Sequence, residues 1–273
     1  MKPADSLYRK KERLFNRLSG FEALAVAYSG GIDSTLLLAA ARDASAGKVL
    51  AFTAVSPLQP RWEVDEALKL ADSLGVAHEI IRTAELSVPE FTANSADRCY
   101  VCKKIIFSDM ISRCRQLGFS HLAHGVNADD EADYRPGLKA AEEMDILAPL
   151  KEAGFTKDDI RSLSRQMSLP NWNKPAAACL ASRIPYGMEI TQERLQMVET
   201  AENVLLSLGF SGFRVRHMGD TARIEVRPAD FKRLIKPEPR LIIIHELRRA
   251  GFTYVALDLE GYGQGRMNRL IES

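Results

Sequence analysis

Residues 25–44, AVAYSGGIDSTLLLAAARDA, run a short apolar stretch into a tight polar turn and then into an alanine- and leucine-rich helix. A strand that hands over to a helix through adjacent glycines is a place to hold phosphate. The helix presents its positive end, and Gly30 and Gly31 let backbone N–H groups come close to phosphate oxygens. Ser29 and Ser34 add hydroxyl donors. The lysine of the commonest phosphate loop, GxxxxGK[ST], is missing. Asp33 does not face bare phosphate favourably, so its expected role is to hold a Mg²⁺ that bridges carboxylate and phosphate. A serine–glycine turn that only starts a helix is the alternative.

Around this turn the chain alternates strand and helix. Strands are expected at KVLAFTAVS, AHEIIRT and SHLAHGVN, and helices at residues 5–19, 33–44, 60–75 and 98–118. That order predicts an α/β fold with a parallel sheet covered by helices, and a ligand crevice beyond the carboxyl ends of the strands. Residues 28–34, Val55 and Asn127 fall at such ends. Near Leu169 the texture changes. PNWNKPAAACLASRIPYG has no clean period and reads as a functional loop or linker. After it come a helix and alternating strands, FRVRHMG, TARIEVR and TYVALDL, which predict a smaller C-terminal α+β domain. The expected division is 1–168 and 169–273.

Composition narrows the chemistry. The 273 residues carry a formal charge of +1, so no broad basic field points to nucleic acid or to an anionic membrane. No apolar run approaches the roughly 20 residues that span a bilayer, and the charged, amphipathic N-terminus is unlike a secretion signal. The expectation is a cytoplasmic enzyme whose four cysteines are thiols or metal ligands rather than disulfides.

Three cysteines stand in suggestive places. Cys99 and Cys102, in RCYVCKK, have the CxxC spacing of a redox pair or of two ligands to zinc or an iron–sulfur cluster, with Arg98, Lys103 and Lys104 close by. Cys179, in KPAAACLASR, lies between Lys174 and Arg183, cations that favour the nucleophilic thiolate; an alanine-flanked cysteine is most often plain core. Three thiolates can hold a [4Fe–4S] cluster with one iron left open. Cys114 lies about 18 Å along the same helix from Cys102, at 1.5 Å per residue, and reads as an ordinary buried thiol.

Two further stretches are polar enough to bind. In HGVNADDEADYRPG, Asn127, Asp129, Asp130 and Asp133 can hold Mg²⁺ or water and Arg135 can meet a phosphate, against the alternative of a solvated acidic loop. In FRVRHMGDTARIEV, Arg214 and Arg216 alternate onto one strand face and Arg223 follows, an arginine group suited to a substrate's phosphate and carboxylates; a charged outer face fits the pattern as well. Asp220 and Glu225 can order these arginines or bind a metal, and Glu199 and Glu202 are weaker candidates. His78 and His245 read as structural.

The turn YSGGIDS, with its strand and helix, matches the SGGxDS signature of the PP-loop ATP pyrophosphatases. Taken with RCYVCK, GVNADDEADYRPG, KPAAACLASRIPYG and FRVRHMGDTARIEV, it makes nearly the whole chain resemble the LarE family. The resemblance implies an ATP-dependent sulfur transferase that adenylates the carboxylates of pyridinium-bis-carboxylic acid mononucleotide and converts them to thiocarboxylates for the nickel-pincer nucleotide. ATP and Mg²⁺ would bind at Ser29, Gly30, Gly31, Asp33 and Ser34, with Asn127, Asp130 and Arg135. Arg214 and Arg216 would hold the nucleotide substrate, and Cys179, Asp33 and Arg183 would be catalytic.

The resemblance leaves two sulfur sources open. In one, Cys179 gives up its own sulfur. In the other, Cys99, Cys102 and Cys179 carry a [4Fe–4S] cluster whose open iron takes a hydrosulfide, with sulfide or another source as partner. The CxxC pair favours the cluster-bearing type. Family members are homo-oligomers. The rivals are a PP-loop tRNA thiolase, an ammonia-using amidotransferase-like enzyme, which leaves three thiols unexplained, and a nucleotide sensor without turnover.

Overall fold

A computed structural model of the chain describes residues 3–45, 47–132, 136–175 and 178–263. In chain order the elements are α1 (Pro3–Ser19), β1 (Ala23–Ala27), α2 (Ile32–Ala44), β2 (Lys48–Val55), α3 (Arg61–Ser73), β3 (Ala77–Arg82), α4 (Pro89–Thr92) and α5 (Arg98–Leu117). They continue with β4 (His121–His124), α6 (Pro136–Glu143), α7 (Pro149–Glu152), α8 (Lys157–Gln166) and α9 (Gln192–Ser207). Last come β5 (Arg214–Met218), β6 (Thr221–Glu225), α10 (Phe231–Leu234), α11 (Pro237–Arg249) and β7 (Tyr254–Leu257). The expected strands and long helices all form.

The first compact unit holds residues 1–56, 61–85 and 99–177. Its sheet is parallel, in the order β3-β2-β1-β4. β1 is central and reads ALAVA because both of its faces are covered. Alternation along the strands divides the core. Leu24, Val26, Ala51 and Ala123 join α1 and α2 on one face. Ala25, Leu50, Phe52 and Leu122 join Ile106, Phe107 and Met110 of α5 on the other. With every strand running the same way, β1, β2 and β4 deliver residues 28–34, Val55 and 125–127 to one edge. This is the α/β architecture expected from the alternation.

The second unit holds residues 57–60, 86–98 and 178–273. Its small sheet pairs β5 antiparallel to β6 and β6 parallel to β7. Val215, Ala222 and Ile224 pack against α9 and α11 through Ala201, Leu205, Ile243 and Leu247.

One cut at 168/169 is therefore replaced by interleaved segments, for a bonding reason. Leu180 N donates to Leu58 O, Gly187 N to Asn94 O and Ile190 N to Thr92 O, which draws 57–60 and 86–98 into the second unit. Asn171 is bonded to Gly30 and Thr35 and stays with the first.

Candidate active site

The glycine turn is built by local bonds. Tyr28 N still pairs with Phe52 O of the neighbouring strand, and Tyr28 O accepts from Thr53 Oγ1 at 2.8 Å, so the strand is held to its last residue. Gly30 then turns with φ of +69°. A Cβ there would stand 2.7 Å from Ala67 Cβ of α3, so only glycine fits. Ser34, buried in the first turn of α2, donates to Gly31 O at 3.1 Å and accepts from Ser29 N at 3.3 Å. Ser29 Oγ and Ser34 Oγ are 3.2 Å apart. Gly31 occupies the N-cap of α2 with no side-chain cap, which leaves the positive end of the helix to an anion.

A lysine does reach this loop, from 124 residues away. Lys157 Nζ lies 2.5 Å from Asp33 Oδ2, while Asn127 Nδ2 donates to Asp33 Oδ1 at 3.4 Å. Lys157 is the first residue of α8, whose start is set by a capping box between Thr156 and Asp159. Its backbone N donates to Asp129 Oδ2 at 2.7 Å. Asn127 in turn accepts from Asp129 N on its side-chain oxygen and donates its own N–H to Asp130. Thus Asn127, Asp129 and Asp130 all stand at the strand end as expected, but Asp130 is spent on the turn itself. Gly125 allows the close approach, since a Cβ there would meet Ser34 N at 2.7 Å. Arg135 and Asp133 lie outside the described residues.

Asn171 closes the other side of the turn. Its Nδ2 donates to Gly30 O at 3.1 Å and to Thr35 Oγ1 at 2.9 Å. Neither Lys157 nor Asn171 carries a local functional signal. The one legible hint is the T-x-x-D capping box, which marks a helix start at Lys157 without saying where that start lands.

Cys99 and Cys102 sit one turn apart in the first turns of α5, Cys99 exposed and Cys102 half-buried against the core. The segment at Gly137 passes close: a Cβ there would stand 3.0 Å from Lys103 Cγ and 3.5 Å from Cys99 O. Tyr100 Oη and Lys104 Nζ both donate to Glu143 of α6, at 2.6 and 3.0 Å. Cys114 is buried further along, where burial pushes its thiol up to about 11. Among the described residues no three His, Cys, Asp or Glu side chains stand together as a metal site. Cys99 and Cys102 belong to the first unit and Cys179 to the second.

In the second unit, two buried ion pairs shape the segment that bears Cys179. Arg183 meets Glu202 of α9 in a two-pronged pair at 2.9 and 2.8 Å. Its remaining nitrogen donates to Cys179 O at 2.9 Å, to Ser182 Oγ at 3.1 Å and to Ala178 O. Arg216 makes the matching pair with Glu225, both bonds 2.9 Å, and donates to Ser182 O at 2.9 Å. Removing one partner of such a pair leaves a buried charge, a loss of about 3–5 kcal/mol. Arg183 therefore holds the backbone around a half-buried thiol and is itself buried.

The arginine group divides by role. Arg223 shares Glu225 with Arg216 and reaches Asp258 at 3.4 Å. Arg214 stacks on the Tyr262 ring at 5.1 Å and donates to Phe213 O, with no carboxylate bound to it among the described residues. Burial and the nearby Arg183 charge hold its guanidinium below the usual value. Four guanidinium groups thus face three carboxylates, Glu202, Glu225 and Asp258, and the surplus charge rests on Arg214. Glu202 and Glu225 are the anchors of this group. Among the described residues the Asp220 side chain accepts from Thr221 Oγ1, and its backbone carbonyl accepts from the N–H groups of Thr253 and Tyr254.

The sequence pattern of the asparagine synthase family matches residues 13–127, from within α1 to just past β4. Over longer spans the chain is 39% identical across 264 residues to the pyridinium-3,5-bisthiocarboxylic acid mononucleotide synthase of Lactiplantibacillus plantarum, covering 96% of this chain and 95% of that protein. It is 40% identical across 265 residues to the uncharacterized protein slr1717 of Synechocystis, covering 97% and 99%. With MJ0830 of Methanocaldococcus jannaschii it shares 28% over 239 residues, covering 88% and 90%. Among the described residues no helix is long and apolar enough to cross a membrane.

Proposed function

The chain belongs to the LarE family, that of the pyridinium-3,5-bisthiocarboxylic acid mononucleotide synthase, and on that premise we propose that it is an ATP-dependent sulfurtransferase acting on the carboxylates of the corresponding pyridinium-bis-carboxylic acid mononucleotide. The observation that carries this reading is the uncapped glycine turn with the Asp33 carboxylate in the first turn behind it. With Mg·ATP in this turn, Asp33 would hold the cation, the N–H groups at the start of α2 and Lys157 would hold phosphate, and carboxylate and ammonium would each exchange one partner for the nucleotide.

A substrate carboxylate oxygen then attacks the α-phosphorus, and the bond to pyrophosphate breaks. The resulting mixed anhydride carries AMP as leaving group. A sulfur nucleophile adds to its carbonyl carbon and AMP departs with the electron pair of the C–O bond. Arg214, positively charged and with no carboxylate bound to it among the described residues, suits the phosphate of the mononucleotide. Arg183 holds the Cys179 carbonyl and Arg216 the Ser182 carbonyl. Bound by Cys99, Cys102 and Cys179, a [4Fe–4S] cluster would supply an open iron for hydrosulfide. Thiolates are the donor type such a cluster takes, and the CxxC pair stands at the start of α5. The family resemblance adds the expectations of a homo-oligomer, of a cytoplasmic setting, and of sulfide or another sulfur source as co-substrate. Near-neutral charge weighs against a tRNA thiolase.

Separate C99S, C102S and C179S variants, purified anaerobically, test the reading through bound iron and through thiocarboxylate formed with ATP and sulfide. Equal loss of both at all three positions is the result expected for a shared cluster. Loss of product at Cys179 alone, with Cys99 and Cys102 dispensable, replaces it with sacrifice of the Cys179 sulfur. Pyrophosphate release without any thiocarboxylate in the wild type sinks the sulfur reading altogether.

A further inference from the structure

The glycine turn is held from behind by a side chain that the reaction above leaves out. Asn171 Nδ2 donates to Gly30 O at 3.1 Å and to Thr35 Oγ1 at 2.9 Å, partners 141 and 136 positions away in the chain. Gly30 O can only accept, so the amide must turn its nitrogen, and not its oxygen, toward the turn. A peptide group is planar and trans, which points its C=O and its N–H in opposite directions. The carbonyl of Gly30 and the N–H of Gly31 belong to one such group. Fixing that carbonyl against Asn171 therefore aims the N–H to the other side of the turn.

The backbone does not make this choice by itself. Two glycines in a row leave both orientations of the peptide between them open, since neither carries a Cβ. Nor is the N–H strongly engaged: its acceptor among the described residues is Ser29 Oγ, at a long 3.4 Å, and Gly31 starts α2 without a side-chain cap. Asn171, in contrast, is held on both flanks. Leu169, two residues before it, is buried in the same core as α2. Its own carbonyl accepts from Lys174 N at 2.9 Å, and Lys174 Nζ reaches Glu66 of α3 at 2.9 Å. Glu66 precedes Ala67, the residue that Gly30 abuts. Thr35, the second anchor, is fully buried in α2.

We propose that Asn171 is the positioning residue of the phosphate turn: by holding Gly30 O it sets the 30–31 peptide so that Gly31 N–H becomes a donor to the pyrophosphate part of ATP. This rests on the reading of the turn as a nucleotide site. Asn171 acts through the peptide and brings no charge of its own. Without it the peptide is free to rotate, and binding must first pay to orient a donor that the folded chain otherwise presents ready-made.

The test compares wild type, N171A and T35V. Equilibrium dialysis measures the affinities for labelled Mg·ATP, Mg·pyrophosphate and AMP, and the melting temperature is recorded beside them. N171A is expected to bind ATP and pyrophosphate about tenfold more weakly and AMP as wild type does, the scale of one hydrogen bond to a charged group. T35V keeps the bond from Nδ2 to Gly30 O and loosens only its second anchor, so its loss on the same two ligands is expected to be about threefold. An equal loss on all three ligands in N171A overturns the proposal, because that is how a loosened fold behaves and not a misdirected N–H. Unchanged affinities in N171A overturn it as well, whatever the melting temperature does. Should N171A not fold, a T35V affinity for pyrophosphate equal to wild type overturns it. Wild type that binds neither ATP nor pyrophosphate removes the nucleotide reading first, and this inference with it.

Discussion

His124 closes β4, immediately before the Gly125–Asn127 turn, with its ring edge-on to Phe107. Burial first, then the charges of Lys103 and Lys151, push it from 6.5 down to about 3. Between those values the unfolded chain binds a proton that the folded chain refuses, so stability is fully present above the upper value and falls as pH drops through the window. The loss is at most about 1.4 kcal/mol per pH unit for this one group. His217, buried beside Phe252, and His78, bonded to Thr53, are lowered for the same first reason and add in the same direction. H124Q is therefore expected to flatten the acid side of the stability curve, measured by urea unfolding across the window. An unchanged slope denies the buried neutral ring its part. None of this is legible in the sequence, where a lone histidine ending a strand has no visible neighbours.

At the scale of elements, α8 matters for where it begins. Thr156 accepts from Asp159 N at 3.3 Å, Asp159 accepts from Thr156 N at 3.0 Å, and Lys10 of α1 reaches the same carboxylate at 2.5 Å. That start aims Lys157 at Asp33. T156A is expected to destabilise the protein by about 1 kcal/mol, the usual worth of an N-cap. It is also expected to raise KM for ATP more than it lowers kcat, since the ammonium is displaced from the phosphate site. Unfolding midpoints and steady-state kinetics check both, and an unchanged KM removes Lys157 from ATP binding. No helix was expected at 157–166, although the T-x-x-D of its capping box is a local signal. Its destination was not legible, because a helix start specifies local dihedral angles and no distant contact.

At the scale of the molecule, the two compact units interleave along the chain, so a cut at 168/169 does not separate them. A 1–168 fragment loses Asn171 from Gly30 and Thr35, and leaves Asn94 without the carbonyls of 184–188. Each buried polar group left unpaired costs about 1–3 kcal/mol, and a domain's whole stability is about 5–15 kcal/mol. The fragment is accordingly expected to unfold without a cooperative transition in urea followed by circular dichroism; a sharp transition refutes this interdependence.

The sequence alone determined the strand–turn–helix at 25–44, the parallel α/β order, the CxxC pair and the family resemblance. Each of these depends on neighbours in the chain, whose backbone angles, spacing and apolar period are local properties. Only the tertiary structure decided that Lys157 answers Asp33, that Arg183 and Arg216 are bound to Glu202 and Glu225, and that among the described residues Arg214 and the buried Arg98 have no carboxylate partner. Charge pairing between residues far apart in sequence is set by where the folded backbone brings them, and 37 basic and 36 acidic residues allow far too many pairings for composition to choose among.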